Sequence, residues 1–205
     1  MEDIDLNLED FVARVNSDLV GKYVNIASRC AGFITKRFEG RLTRDFGAEG
    51  AALLASLATA RGAIGDYYEA REFSKAIREI MALADRINEY VNANAPWELA
   101  KQAGRESDLQ RVCSVALNAF ARLTRMLAPV MPATAAKVAE MFNCDFRDWE
   151  SRIDIDQIQP YSHLMTRVEA KQLDALFERE TAALPPKAPE QPQRHAQQQA
   201  HVAKE

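Results

Sequence analysis

Apolar residues recur with a helical period near the start of the chain, and this rhythm constrains the fold more than any other feature. The run consists of Leu8, Phe11, Val12, Val15, Leu19, Tyr23, Ile26, Ala27, Cys30, Phe33 and Ile34. Because a period of 3.6 residues puts such positions on one helix face, the sequence predicts a long amphipathic helix that ends near Phe38. Asn7 precedes the run and is predicted to cap it.

The same pattern returns along most of the chain. Further helices are predicted at about residues 49–70, 72–92, 97–102, 107–127, 132–142 and 162–180, with an irregular stretch over 143–160. No segment of useful length alternates with the period of a strand. The sequence therefore predicts an all-α bundle of five or six helices with short connections, followed by the last helix over 162–180.

Composition changes abruptly after Leu184, where prolines give way to glutamine, histidine, alanine and lysine. Such a stretch cannot bury apolar surface and is predicted to be a disordered linker or tail. We expect three parts: a helical bundle over residues 1–160, a last helix over 161–181, and a Pro/Gln-rich tail over 182–205.

Charge, hydropathy and cysteine content limit the classes of function that the sequence can predict. The formal net charge is −4, so any nucleic-acid binding must be local rather than driven by a broad positive field. No apolar run approaches the ~18–20 residues of a membrane span, and the acidic start is unlike a signal peptide, so a cytoplasmic protein is expected. The three cysteines, Cys30, Cys113 and Cys144, lie far apart and are interpreted as buried thiols rather than a zinc site.

Enzyme signatures are missing from the sequence. It contains no P-loop, GxGxxG, HExxH or GxSxG pattern, and its only histidines are His163, His195 and His201. The carboxylates are spread over predicted solvated helix faces. We therefore expect no catalytic, cofactor-binding or metal-ligating residue in this chain.

Two local patterns could carry recognition chemistry. Asn25 and Arg29 are i,i+4 neighbours on the first helix, and together they offer an amide and a guanidinium fork to the edge of an unstacked base. The alternative is that Asn25 bonds a neighbouring helix and Arg29 is simply solvated. In the second pattern, Pro96 stiffens a turn before Trp97, whose indole could stack on a splayed RNA base or could fill the core.

Several separated blocks, in the same order, resemble the anticodon-binding domain of methionyl-tRNA synthetase. The blocks are Leu6-Asn7-Leu8-Glu9-Asp10-Phe11-Val12, Val24-Asn25-Ile26-Ala27-Ser28-Arg29, Gly32-Phe33, Glu72-Phe73, Ile77-Arg78-Glu79-Ile80-Met81, Asn88-Glu89-Tyr90-Val91, Ala95-Pro96-Trp97 with Lys101, and Arg167-Val168-Glu169 to Leu176-Phe177. The resemblance covers about residues 3 to 180. It implies a class I synthetase-type anticodon-binding helix bundle whose last helix returns toward a catalytic domain.

The resemblance also implies a role for each candidate residue. Trp97, held by Pro96, would stack on the first base of a CAU anticodon, while Asn25 and Arg29 would contact base edges. Where the family often has another asparagine one turn before Asn25, this chain has Gly21. One polar contact of the family is therefore expected to be missing here.

The family's catalytic domain, with its His-Ile-Gly-His and Lys-Met-Ser-Lys-Ser signatures, does not occur in the sequence. The chain thus looks like an excised domain, inactive alone, of an ATP-dependent ligase. ATP, and zinc in addition, are cofactors that the resemblance associates with the catalytic domain only. The expected partners are a methionine or initiator tRNA and that catalytic domain, with no DNA or membrane partner. We expect a monomer for this chain, and a homodimer is open for a full-length protein with the family's C-terminal OB-fold.

Two alternatives remain at the level of sequence. One is the equivalent domain of another class I synthetase, such as those for isoleucine, valine, leucine or cysteine. The other is a protein–protein scaffold without an RNA role. The scaffold hypothesis predicts that Asn25, Arg29 and Trp97 do not share one open surface.

Overall fold

The first run of periodic apolar residues folds into three consecutive helical segments, which together are called the helical arm. The computed structural model describes residues 7–173. In it, α1 spans Leu8–Arg14, a π-helical segment spans Val15–Val24, and α2 spans Asn25–Arg37. The side chain of Asn7 accepts hydrogen bonds from the backbone N–H groups of Glu9 at 3.0 Å and Asp10 at 3.2 Å. The predicted N-cap is therefore confirmed.

The π-helical segment differs from the single continuous α-helix that the apolar rhythm predicts. It is 10 residues long and contains Gly21. A π-helix closes its hydrogen bonds over one more residue than an α-helix does, so it is wider and rarely extends over more than one turn. It lies directly before α2, which carries Asn25 and Arg29, so its register decides how α1 is turned relative to α2.

The remaining helices follow the predicted order. They are α3 (Gly47–Glu69), α4 (Phe73–Asn94), α5 (Pro96–Leu99), α6 (Glu106–Leu127) and α7 (Pro132–Phe142). The short helix begins at Pro96 rather than at Trp97 and ends before residue 102. A proline is well placed there because the first residue of a helix has no intrahelical N–H bond to lose.

Helix α6 is the centre of the bundle, and α2, α3 and α4 pack against it. Its buried residues are Leu109, Val112, Cys113, Ser114, Val115, Ala116, Leu117, Asn118, Ala119, Phe120, Ala121, Leu123, Thr124, Arg125, Met126 and Leu127. Tyr23 stacks on Phe120 with ring centroids 4.7 Å apart, and its hydroxyl lies 2.6 Å from the hydroxyl of Thr124. This contact joins the π-helical segment to the core, and burial raises the pKa of Tyr23.

The irregular stretch after α7 is fixed to α6 and α3 by polar side chains. Buried Asn118 accepts a hydrogen bond from the N–H of Ile155 at 3.0 Å. Arg122 donates to the carbonyls of Leu54 at 2.8 Å and Ile153 at 3.3 Å, and Arg61 donates to that of Trp149 at 3.0 Å. The predicted lack of regular structure over residues 143–160 is confirmed, and these contacts show what holds the segment in place.

The helix predicted from Ser162 is wrong over residues 161–169, where the backbone is not helical. Helical conformation begins only at Ala170, and residues 174–181 of the predicted helix lie outside the described residues. The amide of Asn16 provides a reason, because it donates to the Val168 carbonyl at 2.9 Å and accepts from its N–H at 2.8 Å. Both backbone groups of Val168 are thereby occupied, which disfavours a helix there.

Residues through Glu169 form one compact unit and a second begins at Ala170, so the predicted boundary at residue 160 stays a prediction. The predicted tail, 182–205, lies outside the described residues. Within residues 7–173, no helix is both long and apolar enough to cross a membrane.

The thiol prediction is confirmed for Cys30 and Cys113, which are fully buried and unpaired by disulfide. Cys144 is half-buried, and desolvation raises its pKa to about 12. A thiol with so high a pKa is protonated at neutral pH and is therefore a poor nucleophile.

Candidate nucleic-acid interface

Two of the four candidate residues, from different helices, are in direct contact. The guanidinium carbon of Arg29, on α2, lies 4.5 Å from the centroid of the Trp97 ring, on α5. A cation over an indole face at this distance is attracted by about 0.5–1 kcal/mol at an exposed site. Trp97 is half-buried, so it is not the fully buried core residue that would favour the scaffold hypothesis.

Asn92 holds Arg29 in this position. Its side-chain oxygen accepts a hydrogen bond of 2.6 Å from Nη2 of Arg29. Asn92 is exposed and lies in the last turns of α4, just before the turn that carries Trp97. The alternative of a merely solvated Arg29 is therefore wrong, because this side chain is both stacked and hydrogen-bonded.

Sequence reasoning missed Asn92. The available signal was its position at i+4 from Asn88 on a predicted helix that leads directly into Pro96-Trp97. That spacing places a polar group near the turn, but it does not show that the group faces α2.

Asn25 is the first residue of α2 and lies one turn before Arg29. Its side chain is half-buried, and within residues 7–173 its amide makes no hydrogen bond. The alternative in which Asn25 bonds a neighbouring helix is therefore wrong for the described part of the chain. Its amide is free to donate and to accept, which is what reading a base edge requires.

The turn before Trp97 has a constrained backbone. Ala95 ends α4 in the left-handed conformation, with φ 39° and ψ 63°, and its N–H donates to the carbonyl of Val91 at 2.9 Å. Pro96 is buried and opens α5. Because a left-handed residue followed by a proline has little conformational freedom, the backbone that carries Trp97 is held in one direction.

Polar contacts also fix the end of the π-helical segment, directly before α2, against α4. The amide nitrogen of Asn88 donates to the carbonyl of Lys22 at 3.2 Å and to that of Ala84 at 3.0 Å. The ammonium of Lys22 lies 3.0 Å from the carboxylate of Asp85, and this hydrogen bond raises the pKa of Lys22. The two helices that carry Asn25 and Asn92 are thus held in one arrangement.

In the described part of the chain, no cluster of three or more histidine, cysteine or acidic side chains could hold a metal ion. The side chains of the site are an indole, a guanidinium and two amides. Such a set can stack on a base and form hydrogen bonds.

Known proteins match both the sequence and the fold. A family model described as the anticodon binding domain of methionyl tRNA ligase matches residues 42–182. The methionine–tRNA ligase of Verminephrobacter eiseniae (strain EF01-2) is 58% identical over 182 residues, which cover 89% of this chain and 26% of that protein. The methionine–tRNA ligase of Neisseria meningitidis serogroup B (strain ATCC BAA-335 / MC58) is 56% identical over 181 residues, covering 87% and 26%.

Among solved structures, the apo form of Mycobacterium tuberculosis methionyl-tRNA synthetase superposes with a TM-score of 0.73 at 22% identity, covering 80% of this chain and 35% of that one. The predicted all-α fold class is confirmed, and it is the helical fold found in an aminoacyl-tRNA synthetase. The chain belongs to the family of methionyl-tRNA ligase anticodon-binding domains. It spans 26% of the length of the methionine–tRNA ligases named above.

Proposed function

We propose that this chain recognises the CAU anticodon of methionine or initiator tRNA and thereby positions the tRNA for methionylation elsewhere in a longer ligase. The observation that carries the proposal is the contact between Arg29 and Trp97 at 4.5 Å, on helices that are otherwise separated along the chain. A half-buried indole on a constrained backbone suits stacking on one unstacked base.

The Arg29 guanidinium covers one face of the indole in the free chain. An incoming cytosine therefore either stacks on the opposite face or takes the place of the guanidinium. In both cases Arg29 stays within reach of the base, because Asn92 holds it beside the ring. The unpaired amide of Asn25, one turn away, supplies the donor and acceptor for the Watson–Crick edge.

The proposed contribution to the reaction is discrimination rather than chemistry. Activation of methionine with ATP, and any zinc requirement, belong to the catalytic domain of the longer ligase. We infer in addition a cytoplasmic location, since protein synthesis takes place there, and a monomeric state for this chain. The chain alone is expected to show no aminoacylation activity.

The test is binding of a fluorescent anticodon stem-loop at low salt, with one base of CAU changed at a time. Wild-type protein should bind CAU more tightly than each variant. Trp97→Ala should lose about 1–3 kcal/mol of stacking, which is about 5- to 150-fold in affinity. It should remain folded, because Trp97 lies at the edge of the core.

Trp97→Phe serves as the matched variant, because it keeps an aromatic face and should retain most of the affinity. Arg29→Lys keeps the charge but loses the planar fork, so it should weaken binding while leaving the salt dependence unchanged. Equal binding of all stem-loops by wild-type protein would refute the proposed function and would favour the scaffold hypothesis.

A further inference from the structure

Gly32 lies inside α2 without a structural reason that the described residues provide. A glycine within a helix lowers stability relative to alanine, because it loses more backbone freedom on folding. Its backbone is ordinary right-handed helix, open to any residue. A Cβ atom built on Gly32 would meet nothing within 4 Å among the described residues. Neither backbone conformation nor packing therefore requires a glycine here.

The position of Gly32 places it on the same face as the candidate site. Residues at i, i+4, i+7 and i+11 of an α-helix form one stripe, so Asn25, Arg29, Gly32 and Lys36 are aligned along α2. With a rise of 1.5 Å per residue, Gly32 lies about 4.5 Å beyond Arg29, and Lys36 lies about 6 Å further on. The bare backbone is thus flanked by two cations.

Both flanking cations have capacity left for an anion. Lys36 is exposed and forms no ion pair within the part of the chain that the structure describes. Arg29 uses Nη2 on Asn92, while a guanidinium carries five N–H donors in all. A cation in the last turn of a helix is favourable because it interacts with the helix dipole, and this alone would explain Lys36. It does not explain the glycine one turn earlier.

We propose that Gly32 marks the place where the sugar–phosphate backbone of the bound anticodon loop passes closest to α2, with its phosphates between Arg29 and Lys36. The inference rests on the proposed function, since the ligand is the same RNA. Without a Cβ, the RNA backbone can approach α2 more closely than any other residue would permit. The two cations would supply positive charge at the place where the RNA passes. A chain with a net charge of −4 needs such local positive charge to bind RNA.

The decisive experiment is Gly32→Ala, because its effects on stability and on binding should have opposite signs. Removing the helical glycine should raise Tm by about 2 °C. The added methyl should weaken binding of the CAU stem-loop about tenfold, the size of one lost charge-assisted hydrogen bond. A Tm increase with wild-type affinity would overturn the inference, and so would a fall in Tm, which would assign the glycine a structural role.

Gly62→Ala is the matched control. Gly62 lies inside α3, and a Cβ there would also meet nothing within 4 Å of the described residues. This variant should gain similar stability and bind RNA as wild type does. Equal losses of affinity in both variants would overturn the inference, because they would show an effect of helix stiffening rather than of position.

Lys36→Gln tests the phosphate contact. The slope of log affinity against log salt should fall by about 0.7, the value for one phosphate of a single strand. Lys137→Gln is its control, since Lys137 on α7 is also exposed and without an ion pair among the described residues, and it should leave the slope unchanged. An unchanged slope for Lys36→Gln would overturn the proposed contact.

The two proposals fail in different ways. Wild-type protein that binds every anticodon variant equally refutes the proposed function. Wild-type protein that discriminates CAU, loses affinity with Trp97→Ala, and binds normally with Gly32→Ala refutes only the path of the RNA backbone.

Discussion

The side-chain amide of Asn118 is one of the polar groups that hold the segment after α7, and its removal should loosen that segment. Asn118 is fully buried on α6. Its oxygen accepts from the N–H of Ile155 at 3.0 Å, and its nitrogen donates to the carbonyl of Ser114 at 3.0 Å. Asn118→Ala leaves the buried N–H of Ile155 without a partner, which costs about 1–3 kcal/mol.

The lost side-chain volume adds to that cost. A truncation at a site with no exposed surface also leaves a small cavity, which costs about 1 kcal/mol more. We therefore expect Asn118→Ala to lower the free energy of unfolding by about 3 kcal/mol and Tm by about 9 °C. The free energy of unfolding of a natural domain is about 5–15 kcal/mol, so the variant should still fold.

Urea denaturation followed by circular dichroism measures the loss, with Asn92→Ala as control. Asn92 is also a helical asparagine, but it is exposed and its side chain accepts a hydrogen bond only from Arg29 among the described residues, so its removal should cost less than about 0.5 kcal/mol. Limited digestion with trypsin adds a local readout, because exposed Arg152 should be cut faster in Asn118→Ala alone. Equal stability of the two variants, or a loss below about 1 kcal/mol for Asn118→Ala, would refute the reasoning.

Gly50→Ala should destabilise the chain by about 1–3 kcal/mol in the same urea assay, because the new methyl would lie 2.5 Å from Cγ2 of buried Val115. Adding Val115→Ala should recover part of this loss, and no recovery would contradict the steric explanation. Asp45→Asn should reduce stability at pH 7, where the hydrogen bond from Arg111 holds the pKa of this exposed carboxyl below its usual range. The difference from wild type should shrink as the pH falls below about 4 and vanish once the pH lies below the lowered pKa, and full persistence at pH 2 would exclude an ionic origin.

The helices and their order could be predicted because the information is local. Apolar periodicity places each helix, Asn7 marks the first start, and Pro96 marks the short helix. The same reasoning selected Trp97 and Arg29 as candidates from their side-chain chemistry. The predicted helix bounds differ from those in the structure by a few residues, because packing as well as local propensity decides where a helix ends.

The rest depended on contacts that no local pattern encodes. The contact of Arg29 with Asn92 requires α2 and α4 to pack in one arrangement, which the sequence of either helix does not specify. The path after α7 is set by Asn118 and Arg122, which precede it by a long stretch of chain. The error over residues 161–169 has the same origin, because Asn16 binds the Val168 backbone from the far end of the sequence.

The π-helical segment makes the arm sensitive to its own length. Because each residue adds part of a turn to a helix, a single-residue deletion within Val15–Val24 would rotate α1 about its axis while α2 stayed packed on α6. The side chain of Phe11 would then point in a new direction, and Asn16 would lose its two hydrogen bonds to the backbone of Val168. Among natural relatives, a gap or an extra residue here would thus reorient α1 and leave Arg29 and Trp97 in contact.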